Sequence, residues 1–143
     1  MSDVFHAHFT REQIARVFAV MEEASWHQFQ VLTKRPERAL RYADKLPWPE
    51  NVWLGTSVED MRVASRVDVL RQIPAAVRFV SAEPLLGPLH GPEGRLDLHG
   101  IHWVIGGGES GAGFRPVDPA WARGLRDLCV EAGVAFFWKQ WGG

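Results

Sequence analysis

Five short apolar runs punctuate the chain: Phe29–Leu32, Val52–Leu54, Val77–Val80, Ile101–Ile105 and Val134–Trp138. They are rich in Val, Ile, Phe and Trp, residue types that suit a pleated surface. The runs are nearly continuous instead of alternating. That predicts burial on both faces, and so parallel strands covered by helices. Helical patterns fill the intervals. Ile14, Val17, Phe18 and Met21 recur at the i, i+3, i+4, i+7 spacing of one helix face. Thr10 with Gln13 reads as a capping box ahead of it. Pro36 predicts the first turn of a second helix ending near Leu46, where Pro47-Trp48-Pro49 forms a stop. Ser57 predicts the cap of a third helix, with Glu59 and Asp60 in its first turn. Asp118-Pro119 opens a fourth, whose face is Trp121, Leu125, Leu128 and Cys129 and which Gly133 closes.

The order is α-β-α-β-α-β-loop-β-α-β, with strand starts roughly 23–33 residues apart, the size of one βα unit. The Gly/Pro-rich stretch Gly87–Gly100 reads as a surface excursion within the domain, so residues 1–143 form a single α/β domain. Two architectures satisfy this pattern: a doubly wound open sheet, or an arc of a parallel β/α barrel.

Composition narrows the function classes. Of 143 residues, 46% are hydrophobic and 23% charged, which supports a packed core and excludes global disorder. Lys plus Arg is 16 against 17 Asp plus Glu, for a net charge of −1, so no strongly basic nucleic-acid footprint exists. A single cysteine, Cys129, rules out an intrachain disulfide framework and a cysteine-ligated iron–sulfur cluster within these residues. On its helix face Cys129 reads as a core residue. No apolar run approaches the ~18–20 residues of a membrane span. Met1-Ser2-Asp3-Val4-Phe5-His6 lacks the start of a signal peptide, so the expected location is the cytoplasm.

Parallel α/β sheets gather chemistry beyond the C-terminal ends of their strands. The five exits here are Thr33-Lys34-Arg35-Pro36, Gly55-Thr56-Ser57-Val58-Glu59, Ser81-Ala82-Glu83-Pro84, Gly106-Gly107-Gly108-Glu109-Ser110-Gly111 and Lys139-Gln140-Trp141-Gly142-Gly143. Parallel strands would bring Lys34, Arg35, Glu83, Glu109 and Lys139 to one rim, a site pattern of two acids and three bases. Gly106, Gly108 and Gly111 match G-x-G-x-x-G. However, Ala112–Val117 separate them from the next helix and the following strand ends in Lys139, so a dinucleotide fingerprint is not supported. Successive glycine amides could instead cradle an anion, or simply form a tight turn. The His6/His8 and His99/His102 pairs lack further ligands at metal-binding spacing. No P-loop and no nucleophile elbow appears.

These five exits with their strands are specific enough to point to a family. Phe29–Pro36, Val52–Glu59, Arg78–Leu85, Trp103–Gly111 and Phe137–Gly142, in that order, resemble the phage gp thirty-seven/gp sixty-eight family, a domain of unknown function with a three-cysteine motif. The resemblance covers essentially the whole chain. It implies a partial β/α barrel similar to radical S-adenosylmethionine enzymes, with three cysteines in an N-terminal loop holding a [4Fe–4S] cluster. None of those cysteines is present, and Met1–His6 resembles an internal family segment. The chain is thus expected to be the C-terminal part of a longer barrel, inactive alone. S-adenosylmethionine and [4Fe–4S] are expected only with the missing segment.

The resemblance further implies a cofactor-facing rim of Asp3, Thr33, Lys34, Ser57, Glu83, Gly107, Glu109 and Lys139. Together with Arg35, Glu59, Gly106, Gly108, Ser110 and Gln140, these are the candidate substrate- or cofactor-binding residues; no catalytic or metal-binding residue is assigned. The expected partner is a small-molecule substrate of unknown identity. The alternatives are a non-catalytic assembly module, self-associating or binding a protein at an exposed sheet edge, and a nucleotide or phosphate binder using Gly106–Gly111. Neither a membrane nor a nucleic acid is expected as partner.

Overall fold

The structure is a computed structural model that describes residues 2–143; Met1 of the opening segment lies outside them. The main elements are α1 (Arg11–Glu23), β1 (Phe29–Thr33), α2 (Pro36–Tyr42), β2 (Val52–Ser57), α3 (Ser65–Leu70), β3 (Val77–Ala82), β4 (His90–Gly91), β5 (Gly94–Arg95), β6 (Trp103–Gly106), α4 (Pro119–Ala132) and β7 (Ala135–Trp138). All five apolar runs are strands. They form one sheet in the order β1-β2-β3-β6-β7, and every neighbouring pair is parallel. β4 and β5 make a separate antiparallel hairpin.

Strands laid down in sequence order, each reached by a right-handed crossover, put their connections on one side of the sheet. A doubly wound sheet would instead reverse its strand order and carry helices on both sides, so the order observed here rules that alternative out. On the covered face Val52, Leu54, Val80 and Val104 join Ile14, Phe18, Ala39, Leu70, Leu125 and Leu128 in one core. Burying each such Leu or Phe is worth about 1.5–3 kcal/mol. That exceeds the ~0.5–1 kcal/mol of rotamer freedom a buried Leu gives up. The opposite face carries Leu32, Phe79, Trp103, Ile105 and Phe137 around an open cavity. Burial on both faces is therefore corrected: Leu32 is 39% and Phe137 54% exposed. Both faces are apolar in sequence, but the crossovers can cover only one.

Local signals decide most element ends. Thr10 Oγ1 accepts from Gln13 N while Gln13 Oε1 accepts from Thr10 N, completing the capping box of α1. Ile14, Phe18 and Met21 face the core, whereas Val17 is turned to solvent. After α2 the chain tightens into a 3-10 turn at Ala43–Lys45. Asp118 caps α4 by accepting from Ala120 N, and Gly133 ends it with φ 67°, a left-handed conformation suited to glycine.

Ser57 does not cap a helix. It is the last residue of β2 and pairs with Ser81, so its backbone is committed to the sheet. Asp60 supplies the cap instead, for a 3-10 turn at Met61–Val63 that leads into α3. The stretch Gly87–Gly100 is also corrected. It holds the β4–β5 hairpin and buries Leu89, Leu96 and Leu98. It occupies the place a crossover helix would take between β3 and β6, and it seals the core there.

Candidate functional site

The open face forms a cavity of about 490 Å³ lined by Gln30, Leu32, Phe79, Ser81, Glu83, Trp103, Ile105, Phe137 and Lys139. Its floor is aromatic. Trp103 meets Phe79 at 5.7 Å between ring centroids and Trp53 at 5.9 Å, the latter edge-on at 83°. The Phe79 ring lies flat over Gly55, where a Cβ would come within 2.3 Å of the ring. Gly55 thereby keeps the aromatic floor low. Glu83 follows β3 and Lys139 follows β7, and their side chains meet across the end of β6, Nζ to Oε1 3.2 Å.

A second cleft of about 510 Å³ lies at the same end of the sheet, lined by Lys34, Glu59, Asp60, Arg62, Val63, Pro84, Leu86, Glu109 and Arg115. Its charges are paired. Glu59 accepts Lys34 Nζ at 2.8 Å and Arg66 Nη1 at 3.3 Å, and Arg66 also donates to the Ser57 carbonyl. The Arg62 guanidinium beside Asp60 holds its carboxyl below the ordinary value. Glu109 takes two hydrogen bonds from the Arg115 guanidinium and one from the Arg115 amide; these hold its carboxyl down to about 2.

The strand exits do share one end of the sheet, but they are split between two places. Glu83 and Lys139 stand at the mouth of the open-face cavity, while Lys34, Glu59 and Glu109 line the second cleft. Asp3 has a bracing role. Its carboxylate accepts from Phe5 N, Thr33 Oγ1, Lys34 N and Arg35 Nη1, tying the opening segment to the end of β1. Thr33 Oγ1 also accepts from Arg35 N, and Thr56 Oγ1 donates to the Thr33 carbonyl.

The glycine run is used by the backbone itself. Gly107 N donates to the Ala82 carbonyl and Gly108 N to the Gln140 carbonyl, so neither amide has a proton to offer an anion. Gln140 Nε2 returns a bond to the Gly108 carbonyl. A Cβ on Gly108 would sit 2.0 Å from the Trp141 carbonyl oxygen, which is why no side chain is tolerated there. Gly106 packs below the Trp138 ring, and Ser110 is exposed.

Sequence reasoning missed the cavity floor and the two arginines that pair the acids. Leu32, Phe79, Trp103, Ile105 and Phe137 align on one face only through the register of all five strands. Arg66 and Arg115 carry no spacing signal linking them to Glu59 and Glu109. The runs are apolar at both alternating positions, so the sequence carries no signal that separates the floor from the core.

A family model described as a protein of unknown function, DUF5131, matches residues 1–143, and the chain belongs to that family. No curated protein and no solved structure matches it. Among the described residues, no helix is long and apolar enough to cross a membrane.

Proposed function

We propose that this member of the family holds a small organic molecule on the open face of its sheet, as the binding part of a partial parallel β/α barrel. The observation that carries the reading is the cavity of about 490 Å³, with an aromatic floor and its charged groups at the strand ends. Small-molecule sites are concave, mostly apolar, and fixed by a few polar groups; typical volumes are ~300–1,000 Å³. Sequential strand order with helices on one side supports the barrel-arc reading. In an arc of that kind the uncovered face is the barrel interior, and the C-terminal strand ends carry the chemistry. The resemblance to the C-terminal half of a radical S-adenosylmethionine barrel fits the same geometry.

The iron–sulfur cluster that this resemblance implies does not fit these residues. Clusters of this type are held by cysteine thiolates. The sole cysteine, Cys129, is buried in the core, and burial pushes its thiol up to about 12. Among the described residues, no three His, Cys, Asp or Glu side chains gather as a metal site. What the cavity residues supply to the proposed ligand is binding, orientation and exclusion of water. A fragment screen followed by ¹⁵N NMR tests the reading. Shifts clustering at Gln30, Leu32, Phe79, Ile105 and Phe137 are expected; hits that map elsewhere, or no hits, overturn it.

A second reading, assembly at a sheet edge, rests on a different observation. β1 is an edge strand, and beside it Val17, Val20, Met21 and Phe29 line an apolar groove. Exposed parallel edges invite pairing. Light scattering on the eluting chain tests it, and a clean monomer across a concentration series removes it.

A further inference from the structure

Glu83 and Lys139 are the two charged side chains lining the open-face cavity. They directly follow β3 and β7, with β6 between those strands, so they are two strand spacings or about 9–10 Å apart at the backbone. Gly107 lies beneath the two side chains. A Cβ there would be 3.4 Å from Glu83 Cδ and 3.5 Å from Lys139 Cβ. Among the described residues, each finds its side-chain partner in the other. Lys139 is 54% exposed and Glu83 21%, so the lysine is the freer arm.

A lone ion pair over an apolar floor filters ligands by charge. A monoanion reaching Lys139 must draw it from Glu83, leaving a carboxylate without a counterion against aromatic walls. A monocation reaching Glu83 turns Lys139 out towards solvent, at a smaller cost. Glu83, only 21% exposed, loses more by going unpaired than the half-exposed Lys139, whose charge water screens. A zwitterion escapes this cost. Its carboxylate takes Lys139, its ammonium takes Glu83, and one ion pair becomes two with no charge left over. The ligand's body then lies over Phe79, Trp103, Ile105 and Phe137, and an aromatic ring would extend the existing edge-on and tilted cluster. We propose that the cavity recognises an α-amino-acid zwitterion with an aromatic or large apolar body, through the Glu83–Lys139 pair. This rests on the open-face reading above and adds the class of ligand to it.

Calorimetry on the full chain with L-tryptophan, tryptamine, indole-3-propionate and indole separates the charge states. L-tryptophan is expected to bind roughly tenfold tighter than indole-3-propionate and by a smaller margin over tryptamine. Glu83→Gln frees Lys139, so it should narrow the gap between L-tryptophan and indole-3-propionate. Lys139→Gln should narrow the gap to tryptamine. A merely structural pair would weaken all four ligands together. Both variants are compared by far-UV circular dichroism with the parent. S-adenosylmethionine is a further arm: tighter binding than L-tryptophan, with the same sensitivity to both variants, places the zwitterion at the end of a larger molecule. Tighter binding of L-tryptophan assigns a free amino acid. Equal affinity for all four indoles, or ratios unmoved by either variant, overturns the proposal. If indole then still shifts the cavity resonances, the open-face reading survives; if nothing binds the cavity, both fall.

Discussion

At the residue scale, the rim acids owe their charge to particular arginines. The Glu109 carboxyl sits at about 2 against an ordinary 4.5 because the Arg115 guanidinium hydrogen-bonds it. A folded value below the unfolded one gives stability that is fully present above 4.5 and is lost as pH falls towards 2. Carbon-detected NMR titration of the parent should find the Glu109 midpoint near 2, and Arg115→Gln should move it up towards 4.5. An unmoved midpoint would show that the pair does not form in solution. Gly108 tests a different constraint. Its absent Cβ would lie 2.0 Å from the Trp141 carbonyl oxygen, so backbone must move against backbone. Gly108→Ala is expected to lose about 1–3 kcal/mol in urea unfolding. Gly91→Ala, whose Cβ would meet Pro88 at an ordinary 3.7 Å, is the control and should stay within ~0.5 kcal/mol. Neither effect was legible in the sequence. Arg115 has no periodic relation to Glu109, and the Gly108–Gln140 pairing joins segments that only the folded sheet brings side by side.

At the element scale much more was readable, because starts and stops are written locally. The Thr10/Gln13 box, Pro36, Asp118-Pro119 and Gly133 each act through the backbone groups of their own turn. The parallel sense of the strands followed from apolar runs separated by lengths that need a crossover rather than a hairpin. Two elements were misread where tertiary demands overrode a local preference. Ser57 favours a cap, yet the ladder with β3 holds it as strand. Gly87–Gly100 has the composition of a surface loop. Leu89 and Leu96 stand seven apart and Leu96 and Leu98 two apart, a mixed spacing that sustains no single period, so their burial becomes visible only once the gap between β3 and β6 is known. Leu89→Ala and Leu96→Ala should each therefore cost about 2–5 kcal/mol in chemical denaturation, as core truncations do. Val20→Ala, on the solvent side of α1, should fall within ~0.5 kcal/mol. Loop-like losses of under ~1 kcal/mol at both leucines would show that the segment lies on the surface after all.

At the scale of the whole molecule, the sheet divides its labour between faces. The covered face holds the fold together, and the open face carries no helix over it. That division predicts an asymmetry in the cost of substitution. Leu54 and Leu128 are buried on the covered side, and truncating either to Ala should cost about 2–5 kcal/mol. Leu32 and Phe137 lie on β1 and β7, the two edges of the open face. Each still touches solvent in the folded chain, so Leu32→Ser and Phe137→Ser together remove little that folding had buried. The double variant is expected to unfold within about 1 kcal/mol of the parent and to bind less of a hydrophobic dye. Hydrophobic runs on this face made it look like core in the sequence, because hydrophobicity alone cannot tell a face covered by helices from one left open. Urea midpoints measured at two protein concentrations decide between the possibilities. A double variant as destabilised as Leu54→Ala, with a parent midpoint that rises with concentration, would mean a second copy already covers the face. Midpoints independent of concentration, with the open-face pair nearly neutral, leave the cavity available for a small molecule.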